Sequence, residues 1–277
     1  MDQISFHIEH LSKSYPLMGG KNILALHNVT FDARDNEFIS IIGPSGCGKS
    51  TLIQLLAGLI EPTGGEILEA GGAVVGTTGN RGVVFQQYNL FPWLTVEENI
   101  GFGLKIVGRS EKERKEIIAR YIGLVGLKGF DGAYPKELSG GMQQRVALTR
   151  TLATNPKILL MDEPFTALDV QTKRRMQDLL LDIWQQEPRT VIFVTHDVEE
   201  AVLLSDTIYI MTPNPGTIQE KITINLPRPR ELNIEFSHDF LQLRQRIQHA
   251  IVKTTLNFTK PTVVIYKKQW PFASTQS

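Results

Sequence analysis

The chain has 277 residues, 42% of them hydrophobic, with 29 basic and 29 acidic side chains and a formal charge of zero. That apolar content is enough for a sizeable core, and the charge balance argues against a broad nucleic-acid footprint. A charged and apolar N-terminal leader and an uninterrupted run of about 18 apolar residues are both missing from the sequence, which predicts a chain soluble in itself.

The first stretch with a clear signature is residues 37–42, an apolar run predicted as a buried strand. A glycine-rich loop follows, Gly43-Pro44-Ser45-Gly46-Cys47-Gly48-Lys49-Ser50-Thr51, and then a helical stretch over 51–57. Strand, loop and helix in that order are the setting that the phosphate-binding pattern G-x-x-x-x-G-K-[ST] requires. Gly43, Gly46 and Gly48 let the backbone turn tightly and aim its N–H groups at an anion, and the helix start adds partial positive charge. Lys49 is then placed to reach the β and γ phosphates and the Ser50 hydroxyl to ligate Mg²⁺. Cys47 is the only cysteine, so it forms no internal disulfide. Its place inside the loop predicts inactivation by thiol reagents.

The stretch between Lys49 and Asp162 is far longer than one strand–helix repeat needs. Residues 110–126 carry a charged, helix-favouring pattern, and residues 141–155 form a second helix with Met142, Val146, Leu148, Leu152 and Ala153 at mainly apolar positions. A helical subdomain is the economical reading. Leu138-Ser139-Gly140-Gly141-Met142-Gln143-Gln144-Arg145 opens the second helix. Ser139 is suited to accept N–H bonds there, and Gly140 and Gly141 to expose backbone donors, which makes a second anion site. One P-loop wraps only one side of a triphosphate, so this second element is free to cap a nucleotide held by another subunit.

Residues 157–162 are again an apolar strand, closing on Asp162 and Glu163. Asp162 is expected to hold Mg²⁺ through its water shell, and Glu163 to polarise the attacking water as general base. Residues 190–195 repeat the pattern and end on His196, at the carboxyl end of a parallel strand, where open α/β sheets bind ligands. A contact with the γ-phosphate is expected of it. Farther on, Phe236, Phe240, Leu243, Ile247 and Ile251 mark one face of a helix expected to pack on the chain's own core, the alternative being a partner-binding helix. Residues 262–266 suggest a short strand and 270–272 an apolar end.

Taken together, these residues resemble the ATP-binding subunit of an ABC transporter over about residues 4 to 230. The resemblance implies an α/β fold: a P-loop NTPase of ABC-ATPase type with an antiparallel β subdomain and a helical subdomain inserted at about 90–155. Residues 231–277 form a C-terminal tail with one amphipathic helix. The resemblance further implies that Tyr15 stacks on adenine and that Gln86 ligates Mg²⁺ and contacts the membrane partner. Leu138 to Gln143, with Ser139, Gly140, Gly141 and Gln143, match the signature motif that faces the partner's ATP. Ala167-Leu168-Asp169 match the D-loop and His196 the switch histidine. The implied partners are a second ATPase subunit, identical or paralogous, integral membrane permease subunits and, indirectly, a substrate-binding protein. The implied place is the cytoplasmic face of the inner membrane, as a peripheral protein. Residues 89–100, 211–218 and 226–230 are similar to the nitrate, sulfonate, taurine and bicarbonate importer branch, and overall similarity favours nitrate. Sulfonates, taurine, cyanate and bicarbonate stay open. No motif residue is out of place, so the chain is expected to hydrolyse ATP. A soluble ABC-type ATPase acting on nucleic acid or ribosomes usually carries two cassettes or a long coiled-coil insertion, and a P-loop kinase leaves 138–145 unexplained.

Overall fold

The computed structural model describes residues 3–17, 21–230 and 232–257. The strand expected at 262–266 and the apolar end at 270–272 lie outside the described residues.

Two sheets organise the chain. Strands β1 (Ile4–Pro16) and β2 (Asn22–Arg34) pair antiparallel, and β4 (Gly64–Glu69) and β5 (Gly72–Ala73) extend them into a four-stranded sheet of order β2-β1-β4-β5. The second sheet has six strands in the order β10-β9-β3-β8-β7-β6. These are β3 (Phe38–Ile42), β6 (Arg81–Val84), β7 (Ile158–Asp162), β8 (Thr190–Thr195), β9 (Thr207–Thr212) and β10 (Thr217–Thr223). Its pairings are parallel except at the edge, where β10 runs antiparallel to β9. Every residue of β3, β7, β8 and β9 is buried. Parallel strands covered on both faces need apolar side chains at consecutive positions, and for that reason these segments appear in the sequence as mainly apolar runs, interrupted in β3 only by Ser40. Register then places the functional ends together, with Ile42 opposite Thr195 and Asp162 opposite Val194. The residues that follow β3, β8 and β7 therefore leave the same edge of the sheet side by side.

Three helices are inserted between β6 and β7: α2 (Val96–Ile106), α3 (Glu111–Leu124) and α4 (Gly140–Ala153), preceded in the chain by α1 (Lys49–Leu56). The expected subdomain is present, and local chemistry sets its helix starts. Thr95 and Glu98 form a capping box on α2, and Ser110 and Glu113 form another on α3. Val96, Ile100 and Leu104 recur at intervals of one turn and are buried on the inner face of α2. The chain continues through α5 (Val170–Gln186) and α6 (Val198–Leu204) to α7 (His238–Asn257).

Helix α7 packs on the protein's own core through Phe240 and Ile247, with Leu243 and Ile251 partly buried against it. Phe236 departs from the expected face: it closes a 3₁₀ turn at Leu232–Phe236 and is 81% exposed. Ser237 Oγ accepts from Phe240 N at 3.2 Å, so the helix starts just after Phe236 and the aromatic falls outside its periodicity. The 226–230 segment is also structural. Arg230 Nη1 donates to the carbonyls of Val202, Leu203 and Ser205 at the end of α6, and the Arg228 guanidinium lies 4.4 Å from the Trp184 ring centroid.

Candidate functional site

The loop after β3 is shaped by close packing. A Cβ on Gly43 would lie 2.8 Å from both Cys47 Sγ and the Met211 carbonyl oxygen, while Gly46 and Gly48 have φ of 78° and 99°, a region that disfavours side chains. Gly48 is the N-cap of α1 and no side chain caps it, so the N–H groups of the helix's first turn begin at the end of the loop. Pro44 accepts from Cys47 N at 3.3 Å and closes the turn, and Ser45 and Gly46 are exposed at its tip. Cys47 corrects an expectation. Its side chain is fully buried beneath the loop and burial pushes the thiol up, so it is shielded from thiol reagents rather than open to them. Only its backbone can face a ligand.

Lys49 is 5% exposed and its Nζ donates to the carbonyls of Gly43 (3.0 Å) and Pro44 (3.3 Å). The same ammonium lies 3.5 Å from Glu163 Oε1. Ser50 Oγ donates to Asp162 Oδ1 at 3.1 Å. Burial raises the Asp162 carboxyl and the Glu163 charge adds to this, against the opposing Ser50 hydrogen bond and Lys49 charge. A cation placed beside Asp162 would relieve that cost. A hydroxyl and a carboxylate are hard oxygen donors, and among the described residues no group of three or more His, Cys, Asp or Glu side chains forms an alternative metal site. Few protein ligands and mostly water and phosphate oxygens suit Mg²⁺, so the residues present fit it.

Glu163 is held from three sides. Besides Lys49, His196 Nδ1 lies 3.0 Å from Glu163 Oε2, and Thr166 Oγ1 donates to that oxygen at 3.3 Å. Its φ is 45°, a conformation that costs a non-glycine residue about 1–3 kcal/mol and that the surrounding bonds must enforce. One of them is Glu163 N to Val194 O at 2.9 Å. Tyr15 reaches the loop from β1, its Oη donating to Thr51 Oγ1 at 3.5 Å, with Lys13 Nζ 5.3 Å from its ring centroid. The structure thus brings Tyr15, Lys49, Ser50, Thr51, Asp162, Glu163 and His196 to one edge of the sheet.

Gln86 is exposed beyond β6 and makes no side-chain hydrogen bond or ion pair among the described residues, which leaves its amide free for a ligand. The second anion element also stands apart. Ser139 caps α4, accepting from Met142 N at 3.4 Å. A Cβ on Gly140 would lie 3.1 Å from Tyr88 Oη, and one on Gly141 only 2.3 Å from Thr172 Cγ2. Gly140 is exposed as expected, but Gly141 is buried: the space beside it is filled by α5, and close helix approach is its local role. Gln143 Nε2 likewise turns inward, donating to Pro135 O and Leu138 O. Asp169 caps α5 through Gln171 N and Thr172 N, bonds that hold its exposed carboxyl below the usual range, the Thr172 bonds foremost.

Three contributors are not among the residues expected from the sequence. Thr166 touches Glu163 from three residues away, a turn spacing that was available as a signal. Arg150 donates to the Tyr88 and Asn89 carbonyls and so fixes the segment after Gln86. Gly216, in the β9–β10 turn, lies directly against the Cys47 carbonyl. Neither of these last two has a local sequence signal.

The chain is similar to known proteins along most of its length. The sequence model of a family described as ABC transporter matches residues 26–166. An ABC transporter ATP-binding protein of Methanocaldococcus jannaschii is 48% identical over 93% of this chain and 95% of its own length. The nitrate import ATP-binding protein NrtD of Synechocystis is 50% identical over 81% of this chain and 85% of its own. An aliphatic sulfonates import ATP-binding protein, SsuB, of Bacillus cereus is 43% identical over 87% of this chain and 93% of its own. Among solved structures, a dimeric ATP-binding cassette in a post-hydrolysis state bound to ADP and Pi superposes with a TM-score of 0.71 at 33% identity. The match covers 80% of this chain and all of that one.

Proposed function

Because the chain belongs to the ABC transporter family as an ATP-binding subunit, we propose that it hydrolyses ATP to energise import of a small anion, nitrate foremost, through a membrane permease fed by a substrate-binding protein. The observation that carries the hydrolysis reading is the grip of Lys49, His196 and Thr166 on Glu163, beside the Ser50–Asp162 pair.

In this reading the loop 43–51 wraps the phosphates with its backbone N–H groups, and the phosphate oxygens draw Lys49 away from Glu163. The released Glu163 carboxylate accepts the proton of the attacking water, whose oxygen forms the new bond to the γ-phosphorus as the bond to the bridging oxygen breaks, yielding ADP and Pi. His196, already at hydrogen-bond distance from Glu163, orients that carboxylate and contacts the γ-phosphate. Mg²⁺ when bound neutralises phosphate charge; Ser50, Asp162 and Gln86 are the residues that would hold it. Tyr15 carries the adenine.

Ser139, Gly140 and Asp169 lie outside the P-loop cluster, and this supports a second cassette whose ATP they face, as a dimeric relative makes reasonable. Closing two such chains on ATP would move attached permease helices, and hydrolysis would let them return. The same reading assigns 1–230 to the ATPase and 231–277 to an appended tail. Among the described residues no helix is long and apolar enough to cross a membrane, and attachment at the cytoplasmic face through the permease is the corresponding proposal. Nitrate rests on the higher identity to the nitrate relative than to the sulfonate relative. Reconstituting the chain with the permease and binding protein that co-purify with it tests this. Stimulation of ATP turnover by nitrate is expected, whereas stimulation by an alkanesulfonate and not by nitrate would overturn the assignment.

A further inference from the structure

Outside the cluster at Glu163, a network of partly buried charge joins α5 to the loop that carries His196. Lys173 sits one turn into α5, and its backbone N–H donates to the Asp169 carbonyl at 2.8 Å. Its Nζ reaches Asp197 Oδ2 at 2.6 Å and Glu200 Oε1 at 3.0 Å. Glu200 is 4% exposed and is further held by Gln177 Nε2 and Thr195 Oγ1. Asp197 Oδ1 accepts from the N–H groups of Glu199 and Glu200 at the start of α6, and Asp197 N donates to Thr195 Oγ1.

The backbone on both sides of His196 is therefore pinned, and the pins converge on Lys173. Burial alone would pull the Lys173 ammonium down and push the Asp197 carboxyl up. The bonds between them prevail, leaving the lysine raised and the aspartate lowered, so the pair stays charged.

We propose that Lys173 is a positioning residue that transmits movement of the α5 N-terminus, where Asp169 lies, to the loop that aims His196 at Glu163. The inference rests on the reading above in which His196 and Glu163 serve ATP hydrolysis and Asp169 faces a second cassette. Charge-assisted bonds of low exposure couple two elements more stiffly than solvated ones, and the tether runs from Asp169 to Asp197 through a single residue.

The test measures ATP turnover, KM for ATP and melting temperature for Lys173→Met and for Lys173→Met/Glu200→Gln, each in the assembly purified with its partner subunits. Lys173→Met leaves Glu200 buried without a cation, so a lower melting temperature is expected on structural grounds alone. The double variant removes that stranded charge and should recover the melting temperature. The expected result is a kcat lowered about tenfold in both variants with KM within about twofold. Recovery of kcat together with the melting temperature would reduce Lys173 to a structural role and overturn the proposal, as would an unchanged kcat in the single variant. Full turnover in His196→Ala would overturn it through its premise, an outcome told apart because Lys173 is then intact.

Discussion

One added methyl at Gly216 should damage nucleotide binding without altering any side chain that faces phosphate. The residue is fixed against β2, its N–H donating to Ala25 O and its carbonyl accepting from His27 N, both at 2.9 Å. A Cβ there would lie 2.0 Å from the Cys47 carbonyl oxygen and 2.9 Å from Leu26 Cδ2 and Met211 Cε. The two side-chain ends can swing aside, but the carbonyl belongs to the loop itself. Real Cβ contacts stay beyond 3.0 Å, so turn and loop must separate by about 1 Å, an overpacking that costs about 1–3 kcal/mol. Since the loop has to regain its shape to hold phosphate, Gly216→Ala should weaken ATP binding by about five- to 160-fold. Calorimetric titration of ATP reads this directly, with the melting temperature recorded alongside. A folded variant with wild-type affinity would refute the reasoning that the β9–β10 turn buttresses the loop.

Lys49→Ala removes the cation that bonds Gly43 and Pro44, and ATP affinity should fall at least about tenfold, given the strength of charge-assisted bonds; equal binding in the same titration would count against the assigned cradle. Cys47 is buried and its thiol is pushed up, so N-ethylmaleimide should label it only on unfolding, and rapid labelling of the native protein followed by mass spectrometry would contradict that. The Tyr209 phenol donates to Asp32 O and is pushed up to about 12, by burial first and by the Glu37 and Asp32 charges next. A folded pKa above the unfolded value means the contribution is full below pH about 10 and lost as pH rises through about 12. The wild type should therefore lose roughly 3 kcal/mol relative to Tyr209→Phe across that window in urea unfolding, and parallel curves would contradict it.

The three strand ends that build the site were legible because each run of buried, mainly apolar residues ends abruptly: Ile42 at the glycine-rich loop, Met161 at Asp162, and Val194 at Thr195 and His196. The start of α4 was legible because Ser139 is a local cap. What the sequence hid is non-local packing. Nothing near Gly141 announces that Thr172 fills the space beside it, and nothing near Gly216 announces the Cys47 carbonyl. The direction of the Cys47 side chain was hidden for the same reason, since a loop residue facing inward has the same neighbours in sequence as one facing out. Nothing beside Lys173 in the sequence announces its partners. Only the fold brings Asp197 and Glu200 to it.

The account depends most on Glu163 as the base of an ATP-hydrolysing site, and Glu163→Gln tests it with ATP turnover and ATP binding measured on one preparation. Glutamine keeps the size of the side chain but cannot take a proton from water. Turnover should fall by on the order of a hundredfold or more while ATP binding survives. Normal turnover in that variant would remove Glu163 from the mechanism and contradict the account.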